Sequence, residues 1–224
     1  VKFLHTSDWH VGKVLHGHNR LDEHEAVLGE VVRHAREHDV DAVLVAGDLY
    51  ESVAPSAEAQ RLVVRALLAL RDTGAQVIAL AGNHDHGGTF DAYRPLMGVA
   101  GITLVGSVRR ADDGGVVSFR ARSTGEAVNV AVVPFLSQRY AVRAANLVAN
   151  TPTENAARYD QMVRDVLATL AGSFTPDAVN IVMAHVTVAG AVIGAGGERA
   201  AQTVFEYHVP ATAFPASGTC TAGR

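Results

Sequence analysis

Cysteine is nearly absent from this sequence: of 224 residues only Cys220, close to the end, carries a thiol. A lone thiol allows neither a disulfide framework nor a thiolate metal cluster. Long apolar runs are missing as well. None approaches the ~20 residues that cross a bilayer, and Val1-Lys2-Phe3 leads into a strand without a signal-peptide pattern. The expected setting is a reducing cytoplasm with no membrane partner. Positive charge is scarce too, 19 Lys and Arg against 23 Asp and Glu, for a net charge of −4. A free-standing nucleic-acid binder usually carries a basic stripe, and Arg109, Arg110, Arg120, Arg122, Arg139 and Arg143 form no dense patch. That exclusion does not reach a metal enzyme, because bound divalent cations place positive charge where a phosphate would sit.

Several common chemistries are excluded by what the motifs lack. Gly12-Lys13 has no glycine-rich approach of the kind a phosphate-binding loop needs, and no G-x-S-x-G nucleophile elbow occurs. Gly194 to Gly197 is followed by no helix with the third glycine of a dinucleotide fingerprint. Repeats and an obvious interdomain linker are also missing. What remains is 48% hydrophobic and 19% charged, enough for a substantial core in one large domain.

Three buried strands alternate with two helices at the start. Strands are expected at Lys2–Thr6, Asp41–Ala46 and Gln76–Ala81. A helix from Arg20 to about His38 opens on Asn19 and Asp22, with Leu21, Val27, Leu28, Val31, Val32 and Ala35 on one face. A second starts at Pro55-Ser56, runs through Arg71 and is closed by Gly74. This rhythm favours parallel strands with right-handed crossovers. The middle changes character: Ile102–Val105, Val116–Arg120 and Val128–Val133 lie between Gly-rich and charged turns, which suggests antiparallel hairpins in a second sheet. Thr151-Pro152-Thr153-Glu154 has a capping-box pattern for a helix to about Ala171, and Val179–Ala184 is a further buried strand. The architecture implied is an α/β fold, a two-sheet α/β sandwich.

Four polar motifs sit where strands end: Asp8-Trp9-His10, Gly47-Asp48, Gly82-Asn83-His84-Asp85 and Ala184-His185. In open α/β sheets, ligands bind at that edge. Asp-x-His and Gly-Asp are each ordinary turn features. Gly-Asn-His-Asp directly after an apolar strand is not, and four such endings together outweigh the turn reading. Asp8 and His10 can reach one cation from the turn after their strand. Asp48 follows a glycine that lets the backbone turn sharply, and its two oxygens suit a bridge between cations about 3.5–4 Å apart. Asn83 offers an amide oxygen and His185 an imidazole. Carboxylate, amide and imidazole together fit Mn²⁺, Fe²⁺ or Zn²⁺. The other histidines, His5, His16, His18, His24, His34, His38, His86 and His208, read as strand, helix-surface or loop residues.

The order of these motifs resembles the calcineurin-like metallophosphoesterase superfamily, over nearly the whole chain as far as Ser217. Phe3 to Gly12, Gly47 to Glu51, Gly82 to Asp85, Ala184 to Val186, and Phe205 to Pro210 with Phe214-Pro215 are similar to its SbcD-type nuclease branch. The resemblance implies two Mn²⁺ ions. Asp8 and His10 would hold the first, Asp48 would bridge, and Asn83 and His185 would hold the second. His84 would be catalytic, facing the scissile phosphate, with Asp85 orienting it. The implied reaction is hydrolysis of DNA phosphodiesters, as a 3′-to-5′ duplex exonuclease and a single-strand or hairpin endonuclease in DNA repair, recombination and replication. The implied partners are DNA, an SbcC-type ATPase and a second copy in a homodimer. That branch carries a Gly-His-x-His motif after its Phe-Pro segment. Here residues 218–224 have no histidine and no apolar strand. They are expected to be a non-family tail after a truncated nuclease domain at 1–217, leaving the second sheet incomplete, the ATPase-binding segment absent and activity impaired. Two rival readings are a metallophosphoesterase acting on small or cyclic nucleotides, and an inactive short form that binds DNA or dimerises.

Overall fold

A computed structural model of the chain describes residues 1–137, 152–189, 208–215 and 219–223. Its first sheet is wholly parallel, in the order β1 (Phe3–Thr6), β4 (Ala42–Ala46), β5 (Gln76–Leu80), β6 (Ile102–Val105). The second runs β12 (Thr219–Gly223), β9 (Val179–His185), β8 (Ala127–Val133), β7 (Val116–Arg120). Only its β7–β8 pair is antiparallel. A short parallel pair, β10 (Thr187–Val188) with β11 (His208–Val209), stands apart from both.

Alternation along the strands builds the layers. Val43, Val45, Val77 and Ala79 face helices α1 (Leu21–Glu37), α2 (Ala57–Arg71) and α3 (Gly87–Val99), meeting Leu28, Leu62, Val63, Phe90 and Met97. Leu44, Ala46, Ile78 and Leu80 face the other way, onto Val128, Val130, Val132, Ile181 and Met183 of the second sheet. Beyond that sheet, Ala131, Val133, Val182 and Ala184 meet Tyr159, Val163, Leu167 and Leu170 of α4 (Pro152–Ala171). The result is a helix–sheet–sheet–helix stack, so β4 is buried on both faces and all five of its residues are fully covered.

Local signals act largely as read. Asn19 Oδ1 accepts the N–H of Leu21 at 2.9 Å, while Asp22 and Glu23 occupy the first turn of α1. Ser56 Oγ accepts the Ala59 N–H at the start of α2, and Gly74 follows its end at φ +89°. Thr151, the first residue of the expected capping box, and Gly190 to Gly197 lie outside the described residues.

The structure corrects the sequence reading at four points. Ile102–Val105 is not part of a hairpin but the fourth parallel strand of the first sheet. The helix that makes that crossover possible, α3, carries Gly87, Gly88, Gly98 and Pro95, which are poor helix formers. Buried Phe90 and Met97, with the His86 ring accepting the Thr89 N–H, hold it. Val14–Leu15 and His18–Asn19 form a small exposed antiparallel hairpin (β2 and β3), turned by His16 and Gly17, both at positive φ. Finally, Thr219–Gly223 is a strand parallel to β9, so the second sheet has four strands. A strand edge pairs through main-chain groups, and these five residues include no proline to interrupt it.

Candidate metal centre

The polar motifs meet at the carboxyl ends of β1, β4, β5 and β9. After Thr6 the chain runs beside the end of β4, with Asp8, His10 and Val11 N–H groups donating to the Gly47, Asp48 and Leu49 carbonyls at 2.9–3.0 Å. Asp8 (φ 56°), His10 (φ 46°) and Asp48 (φ 53°) all take left-handed backbone, a strained state that clusters at functional sites. Trp9 between them turns into the first core and donates from Nε1 to Thr6 Oγ1 at 2.9 Å, pinning the turn. Asp8 and His10 thus share a side through two left-handed residues rather than through a continued strand.

Two glycines let the strand ends close up. A Cβ at Gly82 would run into the Asp48 carboxylate, and one at Gly47 into the His185 ring. Asp48 sits between imidazoles. Its Oδ2 lies 3.8 Å from His10 Nε2 and 3.5 Å from His185 Nε2, while Oδ1 accepts the His84 N–H at 2.8 Å. Asp8 Oδ1 is 3.7 Å from His10 Nε2, and Asp8 Oδ2 accepts the Ser7 hydroxyl. Two groups, Asp8–Asp48–His185 and His10–Asp48–His84, each bring three potential ligand atoms within 4.8 Å of one another. Asp48 belongs to both.

The donor chemistry fits a divalent cation. His185 Nδ1 lies 2.7 Å from the Ala46 carbonyl, which only accepts, so Nδ1 carries the proton. The Nε2 lone pair then faces Asn83 Oδ1 at 3.0 Å and Asp48 Oδ2 at 3.5 Å. Three electron-rich atoms converging in this way need a proton or a cation among them.

Acid–base balance reflects the same crowding. Burial would raise the Asp48 carboxyl, but the His185 ring and the His84 N–H outweigh it and hold it below its ordinary value. Burial would lower His185, yet Asp48 raises it; His10 is raised mainly by the adjoining Asp8 carboxylate, against its own burial. Both imidazoles are thus drawn toward their protonated forms by the carboxylates, and a cation bound there would compete with those protons.

Asp85 is occupied differently. Its oxygens accept main-chain N–H groups of Gly82 (2.9 Å), Tyr50 (3.0 Å) and Leu49 (3.2 Å), and burial raises its carboxyl. The orientation of His84 falls instead to the Glu51 carbonyl, 2.8 Å from His84 Nδ1. Sequence reasoning had assigned no role to Glu51, whose Oε2 also lies 3.0 Å from His10 Nδ1; its place three residues after Asp48 was the available signal. Phe135, 6.3 Å edge-on from the His185 ring, was missed as well. A cavity of about 480 Å³ reaches from Asn83 past Gly88 to Phe135 and Met162. Among the described residues no helix is long and apolar enough to cross a membrane. Arg139, Arg143 and Phe205 to Tyr207 lie outside the described residues.

A family model for calcineurin-like phosphoesterases matches residues 1–214. The SbcD subunit of the SbcCD nuclease from Bacillus subtilis is 32% identical over 225 aligned residues, covering 99% of this chain and 56% of that protein. The SbcD of Rhodobacter capsulatus is 32% identical over 224, covering 96% and 55%, and that of Escherichia coli K12 is 36% identical over 139, covering 62% and 34%. The chain thus spans about half the length of the first two curated relatives, and less of the third. With the family match running through every strand-end motif of the cleft, the chain belongs to the calcineurin-like phosphoesterase family.

Proposed function

We propose that residues 1–217 form the nuclease domain of an SbcD-type DNA phosphodiesterase using two divalent ions, Mn²⁺ above all. Its role would be 3′-to-5′ duplex exonuclease and single-strand or hairpin endonuclease in DNA repair, recombination and replication, in the cytoplasm. Its partners would be DNA, an SbcC-type ATPase and a second copy of itself. The observation that carries this reading is the convergence of His185 Nε2, Asn83 Oδ1 and Asp48 Oδ2, with Asp48 also facing His10.

Asp8 and His10 would hold one ion and Asn83 and His185 the other, with Asp48 available to both. Bound cations of this kind supply a deprotonated water and neutralise phosphate charge. His84 donates Nδ1–H to the Glu51 carbonyl, which fixes the ring so that Nε2 is the atom left to face the phosphate. Asp85 acts on it indirectly, fixing the Gly82 to Tyr50 main chain around it.

No Gly-His-x-His motif occurs in this sequence, so this chain should bind Mn²⁺ weakly and cleave slowly. The test measures Mn²⁺ binding by paramagnetic resonance and turnover of end-labelled duplex, hairpin DNA, a cyclic nucleotide and bis-nitrophenyl phosphate. Slow DNA cleavage, lost in Asp48→Ala, supports the reading. Faster turnover of cyclic nucleotide or nitrophenyl ester moves the function to small phosphodiesters. DNA binding in chelator with no turnover in Mn²⁺ moves it to a binding module.

A further inference from the structure

Glu51 stands beside two histidines on either side of Asp48, His10 after β1 and His84 after β5, and it meets them with different atoms. Its main-chain carbonyl takes His84 Nδ1 at 2.8 Å. Its carboxylate Oε2 lies 3.0 Å from His10 Nδ1, with the Lys13 ammonium 3.8 Å away. The His10 and His84 rings are edge-on at 4.7 Å. Position 51 is fixed independently of either ring, since its N–H donates to the Val11 carbonyl and Tyr50 is bridged to Val11.

The His10 contact is unfinished. His10 Nδ1 and Glu51 Oε2 are both buried and lack a hydrogen-bond partner, because the ring N–H does not point along the short line joining them. Two buried orphans of opposite kind, already 3.0 Å apart, can satisfy each other by reorientation alone, with no approach needed. A buried donor and acceptor left unmade are each costly to keep, and catalytic hydrogen bonds often align only once a ligand is in place.

We infer that Glu51 is a positioning residue. Its carboxylate holds the proton on His10 Nδ1, as its carbonyl does on His84 Nδ1, so that His10 Nε2 faces Asp48 unprotonated and His84 keeps Nε2 as its free nitrogen. The inference rests on the metal-site reading above. It goes further by giving one residue control of two tautomers through separable atoms: substitution removes the carboxylate but leaves the carbonyl.

That separation supplies the test. Ring ¹⁵N spectra of the metal-free chain in chelator, at a pH where the imidazoles are neutral, report each tautomer. In Glu51→Ala, His10 should move toward the Nε2–H form while His84 keeps its shifts, and the Mn²⁺ dissociation constant should rise about 10–100-fold. Glu51→Gln, whose amide oxygen can still accept, should recover most of the His10 bias. An unchanged His10 tautomer in Glu51→Ala overturns the inference, as does an equal change at both rings, which would mean general loosening. The tautomer readout needs neither metal nor DNA. A failure of the nuclease reading would therefore leave it intact, and a failure here would leave Asp48-dependent cleavage intact.

Discussion

Strand β4 carries a buried carboxylate at each end, and the two are built to opposite purposes. Asp41 and Asp48 are both 3% exposed, and both are held below the ordinary carboxylate value. Asp41 accepts the Lys2 N–H at 2.8 Å and the Ser123 N–H and hydroxyl at 2.7 Å, tying the first sheet to the β7–β8 turn of the second. Every one of those donors is part of the scaffold. Asp48 has one such donor, the His84 N–H, and its other oxygen faces two imidazoles at distances beyond hydrogen-bond reach. A buried carboxylate saturated by main chain serves stability. One left facing imidazoles at 3.5–3.8 Å has the spacing that the proposed cation would close.

The sharpest way to break that contrast is to remove each carboxylate. Asp48→Ala should weaken Mn²⁺ binding by about 100-fold or more, since even outer support of a ligand is worth 10–100-fold. Stability should fall by only about 1 kcal/mol, because a single main-chain donor, the His84 N–H, loses its acceptor and the His185 ring can shed a proton rather than keep an unpaired charge. A steep fall in the melting temperature of Asp48→Ala would make it a structural carboxylate like Asp41.

Gly82→Ala probes the proposed metal end without deleting a side chain that would hold an ion. The new Cβ meets the Asp48 carboxylate, so Asp48 must shift or β5 must retreat. Overpacking of this kind costs about 1–3 kcal/mol, and Mn²⁺ affinity should fall with it. Retained affinity in a titration would mean that Asp48 has room the geometry denies. At the other end, Asp41→Ala strips an acceptor from two main-chain N–H groups and should cost about 2 kcal/mol in denaturant unfolding. Mn²⁺ affinity should stay at the parent value, and a parallel loss of binding would erase the division of labour.

The same contrast explains what the sequence could and could not disclose. Asp8, Asp48, Asn83 and His185 were legible because each interrupts an apolar strand, and strand order then delivers them to one edge. Asp41 precedes the same strand and was read only as its first residue, since its value lies in Ser123, far along the chain. Glu51 was opaque for the same reason: its partner His10 comes from another strand end. Helix α3 was hidden by Gly87, Gly88, Gly98 and Pro95, whose weak propensity is overridden by burial of Phe90 and Met97. Strand β12 was hidden because its pairing with β9 uses backbone, on which side-chain patterning is silent.

Acid should separate the two ends most finely. Asp41 is held at about 2 against an ordinary 3.8: burial works to raise it, and the Lys2 and Ser123 donors together with the N-terminal charge outweigh that. A depressed carboxyl contributes stability that is fully present above the unfolded value and drains away as pH falls toward the folded one. In the unfolded chain Asp41 takes up its proton near 3.8, while the folded chain refuses it until about 2. The parent protein should therefore lose more stability than Asp41→Asn between pH 5 and pH 2.5, roughly, with the gap between them narrowing as acid is added. Denaturant midpoints taken across that range decide it. Curves that stay parallel would mean that the Asp41 bonds hold as well without the charge, and the saturated end of β4 would then rest on hydrogen-bond geometry alone.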